Sequence, residues 1–206
     1  MDKKVVFDFD GTLIRVNSFP KWVKFLAWSK FKNLDFSSFS KIIGLIFKRK
    51  LLNSIRHEEF KKALMELPFS EDEVIEFARF LKSFEHQNVM GKLQQLLDEG
   101  CFVAISSAAP EMYLKVYAKI TELENVTVIG ASISENKLIL NHSINKIENL
   151  EEKGFIKPTE KIEVLFTDSE EDWPLAQRSH KTILVNPSEN TLSFYRNQNR
   201  TIVEIL

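Results

Sequence analysis

A short apolar run at residues 5–7 ends abruptly in a pair of carboxylates, a pattern that predicts a buried strand opening into a loop. Two later apolar runs, residues 101–105 and 164–166, also end in polar side chains. The residues that follow the three runs are Asp8 and Asp10, Ser106 and Ser107, and Asp168. Because segments with helical spacing separate the runs, the sequence predicts an α/β fold with a mainly parallel sheet.

The region after the first strand, residues 17–86, carries no strand signal. Its predicted helices cover residues 20–31 (with Pro20 in the first turn), a stretch capped by Ser37 or Ser38 and ending near residue 50, residues 52–67, and residues 71–84. Ser70 and Glu73 have the spacing of a capping box for the last of these. We therefore expect a Rossmann-like parallel-sheet core, residues 1–16 and 87–206, with an inserted all-helical cap domain, residues 17–86.

Charge and hydropathy argue against several classes of protein. The net charge is -1, so no global field points to nucleic acid as a partner. The most apolar short run, residues 42–47, is far below the roughly 20 residues needed to cross a bilayer, so we expect no transmembrane segment. The first strand leaves no room for a signal peptide, and the single cysteine, Cys101, fits a reducing compartment. The expectation is a cytoplasmic protein.

The polar residues after the three strands are expected to share one site. Ligands of open α/β sheets bind beyond the carboxyl ends of the strands, near a switch in strand order. Several carboxylates brought together there would repel one another unless a cation compensated them. Oxygen ligands with access to water suit Mg²⁺ better than zinc, and no Cys/His cluster competes for a metal.

Four segments, in order along the chain, resemble the haloacid dehalogenase superfamily, and within it the phosphoserine-phosphatase-like branch (subfamily IB, with a helical C1 cap). They are residues 5–13 (VVFDFDGTL), residues 103–111 (VAISSAAPE), Lys146, and residues 164–174 (VLFTDSEEDWP). The resemblance covers essentially the whole core and matches the cap only loosely. It implies a Mg²⁺-dependent phosphatase that hydrolyses a small phosphomonoester through an aspartyl-phosphate.

The resemblance also implies a role for each matched residue. Asp8 would attack phosphorus, and Asp10 would act as general acid and then general base. The implied phosphate-binding residues are Gly11, Thr12, Ser106, Ser107, Ala108 and Lys146, of which Ser107 and Lys146 would also be catalytic. The implied metal ligands are Asp8, Asp10 through its backbone carbonyl, Asp168 and Asp172.

Some of these roles have plain structural alternatives. Either serine could simply cap the following helix, and the spacing to Pro110 favours Ser107 as the phosphate ligand. Lys146 could be a surface lysine, and Asp172 could be a carboxylate in the first turn of a helix.

Asp10 separates several chemistries of the superfamily. A dehalogenase does not need it and a P-type ATPase has Thr in its place, so phosphatase is favoured over both. A phosphotransferase or phosphomutase uses the same residues and stays open, as does a non-catalytic homologue that binds lipid or protein. Asn17 stands where phosphoserine phosphatases have a glutamate for the substrate amine, which argues against phosphoserine.

The predicted cap is strongly basic. Residues 20–62 hold eleven Lys and Arg against three acidic residues, a balance of +8. Aromatic residues of the same stretch include Trp22, Phe25, Trp28, Phe31, Phe36, Phe39 and Phe47. The favoured interpretation is an aromatic cap core with solvated lysines around it. The alternative is a surface that contacts anionic lipid or an anionic substrate.

Overall fold

The computed structural model describes residues 3–123, 125–198 and 202–205. Its strands are β1 Lys4–Phe7, β2 Phe102–Pro110, β3 Thr127–Ser134, β4 Lys137–Ile139, β5 Ile162–Thr167, β6 Ser179–Leu184 and β7 Ile202–Ile205. Its helices are α1 Ser18–Lys32, α2 Phe36–Lys50, α3 His57–Met65, α4 Glu71–Lys82, α5 Gln87–Asp98, α6 Glu111–Ile120, α7 Ile144–Glu152, α8 Trp173–Gln177 and α9 Glu189–Asn197. The sequence also predicts a terminal strand near residues 201–205, of which residue 201 lies outside the described residues.

The strands form one sheet in the order β4-β3-β2-β1-β5-β6-β7. All neighbouring pairs are parallel except β3 and β4, which form a hairpin. The turn residues Glu135 and Asn136 both have positive φ, of 49° and 60°, as a tight hairpin turn requires. The predicted α/β fold, a Rossmann-like parallel sheet with an inserted helical segment, is confirmed.

Each face of the sheet carries its own hydrophobic cluster. Val5 and Phe7 of β1 point to one face and Val6 to the other, as the two-residue period of a strand dictates. The first cluster is continuous with Trp22 of α1 and Phe77 of α4, so the inserted helices and the sheet share one core. The boundaries at residues 16/17 and 86/87 stay a prediction.

The predicted helix boundaries are wrong at two places in the insertion. Asp35, and not Ser37 or Ser38, caps α2, because its carboxylate accepts the Ser38 N–H at 3.0 Å. The third helix begins at His57 instead of residue 52, because Asn53 has a φ of 47°, which residues of a right-handed helix do not adopt. The capping box of Ser70 and Glu73 at the start of α4 is confirmed. In the described ranges, no helix is long and apolar enough to cross a bilayer.

A buried ion pair fixes α1 to α4. Lys30 Nζ lies 2.8 Å from Glu73 Oε2, and Ser29 Oγ donates to Glu73 Oε1 at 2.6 Å. Burial alone would raise the pKa of Glu73, but hydrogen bonds from Lys30, Ser29 and Ser70 outweigh it and lower that pKa.

We expect Glu73→Gln to lower the free energy of unfolding at neutral pH by about 3 kcal/mol, because it leaves the Lys30 charge buried without its partner. The pair stabilises the fold above the ordinary pKa of Glu, 4.5, and its contribution is lost as the pH falls through the lowered pKa. Urea titrations at several pH values should therefore show a flatter acid limb in the variant. Glu76→Gln, on the exposed side of the same helix, is the control, and equal losses in both variants would contradict the assignment.

Candidate active site

The predicted polar residues come together where the strand order reverses direction. β1 lies between β2 and β5, and its pairing with them stops at Ile105 of β2 and Phe166 of β5. The residues just beyond these pairs are therefore neighbours, although β2 itself continues through Ser106 and Ser107 to Pro110. Asp8 directly follows β1, and its backbone N–H donates to the Phe166 carbonyl of β5 at 2.9 Å. A cavity of about 480 Å³ opens at this edge of the sheet.

Most of the residues predicted for the site line this cavity. They are Asp8, Asp10, Gly11, Ser107, Ala108, Lys146, Asp168 and Asp172. Ser106 and Thr12 are fully buried and are not part of the cavity wall. Of the two serines, the structure therefore places Ser107 at the cavity and turns Ser106 into the protein. The roles assigned to these residues stay predictions.

Lys146 lies at the centre of the charged groups. Its ammonium, carried by α7 and almost fully buried, is 2.8 Å from Asp8 Oδ1 and 2.7 Å from Asp172 Oδ1. Thr167 Oγ1 donates to the Asp172 carboxylate at 2.7 Å and holds it against the lysine. Burial alone would lower the pKa of Lys146, but Asp172 and Asp8 outweigh it and raise that pKa. Lys146 is therefore a charged, positioned cation and not a surface lysine.

Three carboxyl groups at the cavity have raised pKa values. Burial, together with Asp172 and Asp168, raises the pKa of Asp8 to about 8 against the opposing effect of Lys146. Burial raises the pKa of Asp10 to about 6, although the Ser18 N–H donates to its Oδ1 at 3.0 Å. Burial also raises the pKa of Asp168 to about 6. One ammonium does not neutralise this group of carboxylates, so the site favours a further cation.

The donor set at the cavity fits Mg²⁺. Asp168 directly follows β5 and packs against the turn at Gly11, where φ is 75° and any Cβ would overlap the Asp168 carboxylate. In the part of the chain that the structure describes, no three His, Cys, Asp or Glu side chains form a metal-binding group. Mg²⁺ does not need one, because it binds through one or two carboxylates and keeps several waters. Asp8, Asp168 and the Asp10 carbonyl would supply that kind of partial coordination.

One buried side chain that the sequence did not indicate, Asn141, holds the part of β2 that carries Ser106 and Ser107. Asn141 is fully buried, and its Nδ2 donates to Ser106 Oγ at 3.1 Å and to the carbonyls of Ser107 and Ile129 at 3.0 Å. Asn149 of α7 donates to Asn141 Oδ1 at 2.9 Å. The network ties the helix that carries Lys146 to the part of β2 that carries Ser107. A lone Asn carries no sequence signal for such a role.

Lys61 of α3 is a second residue that the sequence did not single out. It is buried, its Nζ donates to the Ala108 carbonyl, and it lies 5.3 Å from the centre of the Phe19 ring. Burial lowers its pKa to about 8, with Asp10 acting in the opposite direction. Lys61 thus brings a cation from the insertion to the predicted phosphate-binding loop. Nothing distinguished it from the ten other Lys and Arg in residues 20–62.

The loop between β1 and α1 completes one wall of the cavity. Arg15, Val16 and Asn17 line it, and so does His142, which lies in the connection between β4 and α7. Asn17 Oδ1 also accepts the Phe19 N–H at 3.2 Å and caps α1. The position compared with the substrate-binding glutamate of phosphoserine phosphatases therefore does face the cavity, but as a neutral amide.

Solved structures resemble this chain over its whole length. A Bordetella pertussis protein of unknown function is 15% identical with a TM-score of 0.74, covering 99% of each chain. A predicted phosphatase from Clostridium acetobutylicum is 19% identical with a TM-score of 0.59, covering 100% of this chain and 94% of that one. A phosphoserine phosphatase, solved as an analogue of its phospho-aspartyl intermediate, is 12% identical with a TM-score of 0.57, covering 99% and 93%. No protein-family model and no curated protein matches the sequence.

These likenesses define the class of fold. The chain has the α/β fold of haloacid dehalogenase-type proteins, with the helical insertion after the first strand. Proteins that share this fold include a phosphoserine phosphatase and a phosphoserine phosphohydrolase-like protein from Francisella tularensis.

Proposed function

We propose that this protein is a Mg²⁺-dependent phosphatase that hydrolyses a small phosphomonoester through an aspartyl-phosphate. One observation carries the proposal: Asp8, at the switch in strand order, holds the Lys146 ammonium at 2.8 Å in a cavity that Asp10, Ser107 and Asp168 also line. The predicted phosphatase and the phosphoserine phosphatase among the solved structures of this fold support it.

In the proposed first step, a carboxylate oxygen of Asp8 forms a bond to phosphorus while the bond from phosphorus to the leaving oxygen breaks. Asp10 gives its proton to that oxygen, so the product leaves as an alcohol. Water then attacks the aspartyl-phosphate, Asp10 takes the proton of the water, and phosphate departs with Asp8 restored. A pKa of about 6 lets Asp10 exchange a proton in both directions near neutral pH.

The other residues of the cavity would manage charge during both steps. Lys146 and the Ser107 hydroxyl would contact phosphoryl oxygens, and Asp172, which accepts a hydrogen bond from Lys146, would keep the ammonium oriented. Mg²⁺, held by Asp8, Asp168 and the Asp10 carbonyl, with Asp172 contributing directly or through water, would neutralise charge on the phosphoryl group. The buried Cys101 agrees with a cytoplasmic setting.

The direct test is turnover of a panel of sugar, nucleoside and amino-acid phosphomonoesters by the purified protein, with Mg²⁺ and with excess EDTA. We expect release of inorganic phosphate that needs Mg²⁺ and is restored when the metal is added back. Adding alcohol and sugar-phosphate acceptors separates the alternatives, because a phosphotransferase or phosphomutase would move phosphate to the acceptor instead of water. The absence of any Mg²⁺-stimulated turnover across the panel would favour a non-catalytic binding protein.

Metal binding can be tested without turnover. At a Mg²⁺ concentration about 100 times its Kd, the folded state should gain about 2.7 kcal/mol, seen as a higher midpoint of thermal unfolding. Asp168→Asn should abolish that gain, because it removes one of the two carboxylate ligands. Glu170→Gln, an exposed neighbour outside the cavity wall, should keep the whole gain. If Mg²⁺ stabilised Asp168→Asn as much as the parent protein, the metal would have to bind elsewhere.

A further inference from the structure

The large exposed apolar side chains of this protein are concentrated in one part of the insertion. Of the twelve found among the described residues, eight lie within residues 28–52. Trp28 is 65% exposed, Leu34 72% and Phe47 47%. The favoured expectation of an aromatic cap core therefore fits Trp22, which is fully buried, but not these residues. Isolated exposed apolar side chains are ordinary, whereas a concentration of them marks an interaction surface.

Six of these side chains lie on α1, on α2 and in the turn between them, and we call them the tip surface: Trp28, Phe31, Leu34, Phe36, Ile43 and Phe47. The Phe31 ring lies 6.2 Å from Trp28 of the same helix and 6.4 Å from Phe36 at the start of α2. Phe36, Ile43 and Phe47 are spaced at i, i+7 and i+11 and so continue along one side of α2. Ile42 points the other way into the core, so α2 is apolar on an inner and an outer side.

The tip surface lies in a strongly basic stretch of the chain. Residues 18–52 hold eight Lys and Arg against a single acidic residue, Asp35, whose carboxylate caps α2. Lys24, Lys32, Lys41, Lys48 and Lys50 are exposed, and in the described parts of the chain none of them forms an ion pair. Their long apolar stems can lie along the aromatic rings while the ammonium groups stay in water. A partner of the tip surface must bury its aromatic rings and supply negative charge that neutralises several lysines.

We infer that the tip surface docks onto an anionic phospholipid bilayer, lying in the interface without crossing it. Trp and Phe flanked by lysines are the composition of helices that lie in a membrane interface. Protein–protein interfaces are instead depleted in lysine, so the excess of exposed lysines favours lipid over a second protein. None of the six residues lines the catalytic cavity, so docking leaves the site itself unchanged. The inference does not depend on the proposed phosphatase activity.

The experiment is flotation of the full chain with vesicles of phosphatidylcholine alone and of phosphatidylcholine mixed with phosphatidylglycerol. Binding is expected only to the anionic vesicles and should weaken as salt is raised. The triple variant Lys32→Glu/Lys41→Glu/Lys48→Glu should lower the partition coefficient by on the order of 100-fold or more. Lys119→Glu/Lys137→Glu/Lys153→Glu makes the same change in net charge at exposed sites outside the insertion and should bind like the parent protein.

A second variant tests the apolar part of the surface. Trp28→Gln/Phe47→Gln should also lose vesicle binding while its thermal midpoint stays close to that of the parent, because both side chains are exposed. Equal binding to neutral and anionic vesicles, or equal losses in the two charge-reversal triples, would overturn the inference. The inference would also be overturned if the protein bound neither vesicle type but self-associated in sedimentation velocity through Trp28 and Phe47, since a second copy would then cover the surface.

Discussion

Asp8→Asn should remove phosphatase turnover, by at least about 10⁴-fold and to the background of the assay. The amide has the size and shape of the carboxylate but cannot form the proposed acyl phosphate. Lys146, which donates to Asp8 Oδ1, can still donate to the amide oxygen, so the cavity should keep its shape. The measurement is inorganic phosphate released from the best substrate of the panel at saturating Mg²⁺.

The matched control is Asp98→Asn, the same chemical change at an exposed position near the end of α5. It should turn over like the parent protein. If Asp8→Asn stayed within about 100-fold of the parent rate, the nucleophile would be another group and the proposed mechanism would be wrong.

Asp8→Asn has a second readout that does not involve substrate. The pKa of Asp8 rises from 3.8 to about 8 on folding, so the folded state holds its proton more tightly than the unfolded state. Between about pH 4 and about pH 8 the metal-free parent protein should therefore lose stability as the pH rises. The variant has no proton to lose at this position, so its decline should be smaller. Raised pKa values at Asp10 and Asp168 leave part of the decline in both proteins.

Lys146→Met should damage both stability and turnover. The substitution leaves the buried acidic side chains of Asp8 and Asp172 without the ammonium that contacts both of them. The free energy of unfolding should fall by about 3–5 kcal/mol at neutral pH. Turnover should fall by about 10²–10³-fold or more, since a positioned charge on the phosphoryl oxygens is lost. Urea unfolding and steady-state kinetics measure the two effects.

Two further variants separate the roles of Lys146. Lys153→Met, at the exposed end of the same helix, controls for loss of a lysine and should change neither property. Adding Asp172→Asn to Lys146→Met removes one of the unpaired carboxylates, so it should recover part of the lost stability. It should not recover turnover. A double variant that regained both would mean that Lys146 only balances charge within the fold.

The sheet could be predicted from the sequence because the pattern that specifies each strand is local. Each buried strand is an apolar run with a sharp polar end, and Asp8, Ser107 and Asp168 mark three such ends. The boundaries within the insertion were harder, because capping depends on which of several polar residues the chain selects. Asp35, Ser37 and Ser38 are all good caps, and only the three-dimensional course of the chain made Asp35 the cap of α2.

The residues of the candidate site likewise fall into two groups, those that could be predicted from the sequence and those that could not. Residues within the strand-end motifs were found because carboxylates, a hydroxyl and a glycine at fixed spacing after buried strands are typical of a ligand-binding site. Lys61, Asn141 and Arg15 were not, because each reaches the site from a segment whose sequence is ordinary. Four of the seven aromatic residues assigned to a cap core are exposed instead: Trp28, Phe31, Phe36 and Phe47. Spacing along a helix does not say which of two apolar sides is covered.

The shared core of the insertion and the sheet limits how substrate can reach the cavity. Trp22 lies 5.7 Å from Tyr113 of α6 and 4.8 Å from Phe77, ring centre to ring centre, and all three side chains are fully buried. Swinging the insertion away as a rigid lid would expose these rings to water, at about 1.5–3 kcal/mol for each large side chain. For the proposed phosphatase, we therefore expect substrate entry and product release through small rearrangements at the cavity mouth.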